Sequence, residues 1–181
     1  LAGNALHISV SIGISSYSPT ITSADGMLTQ ADMALYRSKE KGRNQYHFHS
    51  EEINQEVVER MTIASELREA IEHNELELCY WPEVDLTSGK ILGMEAQVTW
   101  NHRERGLLEA TAFLPAAEKT GTIIALGHWV LDRACRQMRQ WRDEGVAPPV
   151  IAIKLSLAQL KSGPELIYDV LRTTARWELA P

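Results

Sequence analysis

Ile91-Leu92-Gly93-Met94-Glu95-Ala96-Gln97-Val98-Thr99-Trp100 is the stretch on which the reading of this chain turns. Its side chains alternate. Met94, Ala96, Val98 and Trp100 share one face of a strand, and Glu95, Gln97 and Thr99 share the other. A first strand is expected before it, over Leu76, Leu78 and Tyr80, interrupted by Pro82 and followed by a turn at Thr87-Ser88-Gly89. After it come helical patterns over Phe113 to Lys119 and Leu126 to Asp143. In the second of these, Leu126, Val130, Ala134, Met138 and Trp141 form an apolar stripe that Gly145 stops. Val150 to Leu155 is a nearly continuous apolar run holding one lysine, which predicts a buried strand, and Leu166 to Trp177 predicts a last helix. Strands alternating with helices argue for an α/β fold with a largely parallel sheet.

Working back towards the start, Ser50 to Glu77 holds nine Glu, no Asp and two Arg, while the whole 181-residue chain carries a net charge of -6. The excess of acid is thus concentrated at one place, a natural boundary. Ile53, Val57, Met61, Ala64, Arg68 and Ile71 recur there at helical spacing, which predicts an amphipathic linker helix from Glu51 to about His73 whose glutamates solvate the outer face. Ahead of it Leu6, Ile8, Val10, Ile12 and Ile14 alternate with His7, Ser9, Ser11 and Gly13, which predicts a strand with one buried face. A loop with Pro19 follows. Ser23 then caps a helix carrying Met27, Leu28, Ala31, Ala34, Leu35 and Ser38, Gly42 ends it in a left-handed turn, and Tyr46 and Phe48 suggest a short strand.

Composition bounds the function classes. At 44% apolar and 23% charged the chain is ordinary globular material, and its acidic balance carries no nucleic-acid footprint. The longest apolar stretch, Thr122 to Leu131, contains His128 and is too short to span a bilayer. Two cysteines, Cys79 and Cys135, make no disulfide framework, and a cytoplasmic setting is expected. The chain begins at Leu1 rather than at a methionine, as part of something longer would.

Few residues announce chemistry on their own. There is no Gly-rich phosphate loop, nucleophile elbow, Cys-x-x-Cys pair or His-Glu-x-x-His helix. His47 and His49 share a strand face, but two lone ligands make a surface strand end rather than a metal site. Three polar side chains on one face of a buried strand need partners or a ligand. Glu95 is therefore either a metal ligand or acid/base group, or a carboxylate paired with a buried cation, for which Lys154 is the candidate. Lys39 and Arg43, four apart at a helix end, either bind phosphates or complement the helix dipole.

Both halves resemble the domains of bacterial cyclic-di-GMP signalling. The run from Ala31 through Asp32, Ala34-Leu35-Tyr36, Lys39 and Lys41-Gly42-Arg43-Asn44, with the strand His7 to Ile14 before it, is similar to the end of a GGDEF (diguanylate cyclase) domain. In that family the residues matching Lys39 and Arg43 contact GTP phosphates; the metal carboxylates and the signature loop would lie upstream. Tyr80-Trp81-Pro82-Glu83-Val84-Asp85, Trp100-Asn101-His102, Phe113-Leu114-Pro115-Ala116-Ala117-Glu118 and Gly127-His128-Trp129-Val130-Leu131 resemble the first part of an EAL (cyclic-di-GMP phosphodiesterase) domain. The resemblance implies an α/β chain in three parts. Residues 1–50 are the end of an α+β GGDEF domain, 51–74 a linker helix, and 75–181 the first part of an EAL-type (β/α) barrel. Such barrels need about 250 residues, so both domains are expected to be incomplete here.

The departures from the family pattern fall at functional positions. The signature Glu-Ala-Leu-x-Arg stands here as Glu95-Ala96-Gln97-Val98-Thr99. The resemblance implies that Glu95 is a metal ligand, that Gln97 replaces a leucine packed on the ligand, and that Thr99 replaces an arginine that binds a ligand phosphate. Trp81 replaces a glutamine that helps hold the ligand. Lys154-Leu155-Ser156 stands where the family has Asn-Leu-Ser, the asparagine being a second metal ligand. A lysine has no acceptor to offer a metal, so an ion pair between Glu95 and Lys154 is expected in the metal's place, with no metal-activated water for hydrolysis. The resemblance, with these departures, implies a degenerate EAL domain acting as a regulatory module that binds cyclic-di-GMP or a protein partner, in a homodimer. The alternative is an active phosphodiesterase using Mg²⁺ or Mn²⁺, or an active diguanylate cyclase, in the intact protein.

Overall fold

A computed structural model of the chain describes residues 8–17, 21 and 23–179. The chain divides into two compact units, Leu1–Arg60 and Met61–Pro181, and the division falls inside one helix.

In the first unit, strand β1 (Ile12–Ile14) pairs in parallel with β2 (Tyr46–Phe48), and helix α1 (Ala24–Glu40) connects them. Ser23 caps α1, its hydroxyl accepting from the Gly26 N–H at 3.1 Å. Gly13 explains how closely strand and helix meet. A Cβ there would stand 2.0 Å from the Ala31 carbonyl oxygen, so only glycine admits the contact. Ser38, fully buried, completes it by donating from Oγ to the Ile12 carbonyl at 2.8 Å. This corrects the expected buried face. The side carrying Gly13 lies against α1, and the apolar side is open, with Ile8 92% and Val10 66% exposed. The Pro19 loop and the beginning of the expected strand, Leu6 and His7, lie outside the described residues.

Helix α2 (Glu51–His73) spans the predicted linker. Its buried stripe is not the expected one. Ile63, Ala64, Leu67 and Ala70 are buried, while Met61 is 66% exposed. The sequence offers two apolar stripes a fraction of a turn apart, and packing selects the one that reaches the sheet.

The second unit is built on strands β3 (Leu76–Val84), β4 (Ile91–His102), β5 (Gly106–Glu109) and β6 (Ile151–Ile153). Helices α3 (Ala110–Thr120), α4 (Ile123–Asp143), α5 (Leu157–Lys161) and α6 (Pro164–Arg176) complete it. The long β4 is central. It pairs antiparallel with β3 along one edge. Along the other it pairs in parallel with β6 near its start and antiparallel with β5 near its end. The sheet is therefore mixed, with one parallel pair, where a largely parallel sheet was expected. β5 and α5 carry too few residues to show a period, so periodicity does not reveal them.

Pro82 does not interrupt β3. It sits opposite Met94, whose N–H turns the other way, to the Val150 carbonyl at 2.9 Å. That register position is a non-hydrogen-bonded pair, so the N–H that proline lacks is not needed by the β3–β4 ladder. The turn after β3 is held by Asp85, whose Oδ1 accepts from the N–H groups of Thr87 at 3.0 Å and Ser88 at 2.6 Å, with Gly89 at φ 69°.

The core lies on the Ala96–Val98–Trp100 face of β4. Trp100 meets Phe113 edge to face at 5.6 Å, and Leu67 of α2 and Leu126 of α4 close over them. Each such side chain stabilises the fold by roughly 1.5–3 kcal/mol on burial. The predicted stripe of α4 holds: Leu126, Val130, Ala134 and Met138 are buried, and Trp141 packs on Tyr80 at 4.8 Å. Among the described residues no helix is long and apolar enough to cross a membrane.

Candidate functional site

Burial on one side of β4 leaves a polar face on the other. Glu95 stands directly opposite Trp81 of β3 and beside Ala152 of β6; Gln97 is opposite Cys79, and Thr99 opposite Glu77. Residues paired in this way point to the same side of a sheet. Trp81, Cys79, Glu95, Gln97 and Thr99 therefore share one surface, with Thr99 Oγ1 3.9 Å from Cys79 Sγ. Lys154 lies two residues beyond Ala152 and reaches the same surface from the end of β6.

The centre of this face is Glu95. Its Oε1 accepts from Lys154 Nζ at 2.6 Å and from Gln97 Nε2 at 3.0 Å. The hydrogen bond from Lys154, then that from Gln97, holds its carboxyl below the usual glutamate range of 4.5. Glu95 is thus ionised at neutral pH and has no proton to give as a general acid.

The lysine is not buried as the apolar run suggested. β6 ends at Ile153, and the Lys154 side chain is 76% exposed against 23% for Glu95. Lys154 lies past the last ladder residue, where nothing among the described residues covers it. Trp81, at 61%, is also open to solvent.

A divalent cation needs several oxygen ligands converging on one point. Here the carboxylate oxygen that would bind it already accepts an ammonium and an amide N–H. Among the described residues no group of three His, Cys, Asp or Glu side chains is placed to hold a metal ion. The residues of this chain do not fit a divalent cation at Glu95.

Contacts that sequence patterns do not reveal fix the far end of β4. Trp100 Nε1 donates to Glu75 Oε2 at 3.3 Å, and Arg103 Nε donates to Glu75 Oε1 at 2.5 Å. These hydrogen bonds, the one from Trp100 foremost, lower the pKa of Glu75. Buried His102 takes two backbone N–H groups on Nδ1, from Glu104 at 3.1 Å and Arg105 at 3.3 Å. Its ring hydrogen therefore sits on Nε2, facing Glu66 Oε2 of α2 at 3.1 Å. Glu66 and Glu75 belong to the acidic stretch expected as a solvated face. Their position beside β4 is a tertiary fact that charge pattern does not carry. On the opposite side of the sheet, a cavity of about 560 Å³ between α4, β6 and α6 is lined by Cys135, Met138, Ile151 and Val170 among others.

In the first unit Lys39 lies in the last turn of α1, and both it and Arg43 are exposed. The helix ends at Glu40. Arg43 lies beyond it in a left-handed turn at φ 61°, after Gly42 at φ 113°, so the two cations do not share a helix face. His47 Nδ1 is 3.1 Å from Ser38 Oγ, a structural contact inside the unit.

The EAL domain family matches residues 64–178, more than half of the chain, and the diguanylate cyclase GGDEF domain family matches residues 1–45. The chain is 39% identical over 181 residues to the bifunctional diguanylate cyclase/cyclic di-GMP phosphodiesterase MucR of Pseudomonas aeruginosa, covering all of this chain and 26% of that protein. It is 35% identical over 167 residues to the cyclic di-GMP phosphodiesterase PdeR of Escherichia coli, covering 92% of this chain and 25% of that one. The chain thus spans about a quarter of the length of these curated relatives. A solved structure of the PaMucR phosphodiesterase in complex with c-di-GMP superposes with a TM-score of 0.62 at 42% identity, covering 66% of this chain and 48% of that one. The α/β architecture around β4 and these matches agree: this chain belongs to the EAL domain family, and its opening residues match the GGDEF domain.

Proposed function

We propose that the chain is part of a cyclic-di-GMP signalling protein whose EAL unit binds ligand or partner without hydrolysing it. One observation carries this reading: the Lys154 ammonium sits 2.6 Å from Glu95 Oε1, where a catalytic metal would need that oxygen. Without a metal at Glu95, no water is activated there for attack on a phosphodiester. Thr99 supports the reading, because a threonine lacks the charge and the two-pronged donation of an arginine. The organisation proposed is GGDEF end over 1–50, linker over 51–74 and EAL start over 75–181. Lys39 and Arg43 serve as phosphate contacts of an intact GGDEF domain. Assembly as a cytoplasmic homodimer with a protein partner belongs to the same proposal.

The names of the relatives favour a second reading, an active phosphodiesterase using Mg²⁺ or Mn²⁺, with or without cyclase activity upstream. Hydrolysis of cyclic-di-GMP by the full-length protein with either metal separates the two. It is measured beside a Lys154→Asn, Thr99→Arg double variant. No turnover by wild type is expected; metal-dependent turnover by wild type overturns the proposal.

A further inference from the structure

The polar face carries two exposed groups that its own contacts do not consume. Lys154 has three N–H donors. One is directed at Glu95, and the side chain is 76% open to solvent. Trp81 exposes 61% of its surface directly across the ladder from Glu95. A solvated indole is costly to keep in water, and nothing on its own strand turns it inward. Strands lie roughly 4.8 Å apart, so Trp81 and Lys154 stand about one strand spacing to either side of Glu95, a flat aromatic surface and a fixed cation about 10 Å apart.

The distribution of charge along the face points the same way. The EAL pattern has its cation at the position of Thr99 and a neutral asparagine at that of Lys154. This chain has the reverse. Glu95 and Thr99 are four residues apart on β4, roughly 13 Å at 3.3 Å per residue. The positive charge has therefore been moved along the face rather than deleted, to a point beside the exposed indole.

We propose that Lys154 and Trp81 form a metal-independent site for a guanine nucleotide phosphodiester on this face. The Lys154 ammonium takes the phosphate where a metal would otherwise bridge it, and Trp81 stacks on the base. Glu95 holds the ammonium in place, and Gln97 holds Glu95. The proposal deepens the non-hydrolysing reading above and rests on it for the identity of the ligand, cyclic-di-GMP. Ammonium–phosphate pairing is charge-assisted, and aromatic stacking of one base is sequence-tolerant but shape-dependent. Loss of either is expected to weaken binding by about tenfold or more.

Calorimetric titration of the full-length protein with cyclic-di-GMP tests this, in EDTA and again in Mg²⁺. Wild type is expected to bind equally in both. Lys154→Gln and Trp81→Ala each lose about tenfold, and Trp81→Phe, which keeps a ring to stack on, retains most of the affinity. Both positions are exposed, so circular dichroism melts are expected to be unchanged. Binding that requires Mg²⁺, or that Lys154→Gln or Trp81→Ala leaves intact, overturns the Lys154–Trp81 site while leaving non-hydrolytic binding in place. No binding by wild type in either buffer also overturns it. The turnover assay judges the non-catalytic reading separately.

Discussion

Leu67→Ala probes whether the second half of α2 is a linker or part of the EAL unit's core. Leu67 is fully buried, in one cluster with Trp100 and Phe113. Truncation removes three carbons from a closed interior and leaves a cavity, at a cost of about 2–5 kcal/mol. Helix propensity does not add to the loss, since alanine is at least as good a helix former as leucine. At roughly 3 °C per kcal/mol for a chain of this size, the melting temperature of the second unit should fall by about 10 °C. Met61→Ala, one and a half turns earlier and 66% exposed, is the matched control and should stay within about 0.5 kcal/mol of wild type. The assay is thermal unfolding tracked by near-ultraviolet circular dichroism, to which buried Trp100 contributes. A Leu67→Ala melt within about 2 °C of wild type, or equal losses for the two variants, would refute the assignment of α2 to this core.

The geometry makes two further outcomes testable. The Glu95 carboxyl should titrate below 4.5 in wild type and move back up in Lys154→Ala, read by carbon NMR of the carboxyl group. Because its folded pKa is depressed, the stabilisation is fully present above the unfolded value and fades as pH falls through the folded one, so the two proteins should converge in acid. Gly13→Ala should destabilise the first unit strongly. Its Cβ would meet the backbone of α1 at Ala31 and Leu35, which no side-chain rotation relieves. Hydrogen exchange at the β1–β2 ladder would show the loss, and unchanged protection would contradict it.

What the sequence could reveal was local. The alternation from Met94 to Trp100 sorted the core face from the polar face, because strand parity is a property of neighbours. The α4 stripe and the Ser23 cap were legible for the same reason. What it could not reveal depended on partners far along the chain. Lys154 sits in an apolar run that reads as buried, but burial is decided by what packs on the end of β6. Pro82 looked like a break because only the pairing of Met94 with Val150 shows that its missing N–H is harmless. The choice of Ile63 and Leu67 over Met61 as the inward stripe of α2 is made by the sheet. At the site, the residue types identified Glu95 and Lys154 as partners, whereas the solvent-facing Trp81 beside them became apparent only from register.

The two edges of β4 differ in how far apart in the chain their partners lie, and this sets an order of events. β3, β4 and β5 succeed one another through tight turns, so their ladders can close from nearby segments at small entropic cost. β6 arrives only after α3 and α4 have been threaded and docked, and parallel pairing across such a crossover is slow. The Glu95–Lys154 contact therefore belongs to the late stage of folding. A nascent chain that has formed the β3–β5 meander presents Glu95 without its ammonium, and the polar face reaches its final charge only when the crossover closes.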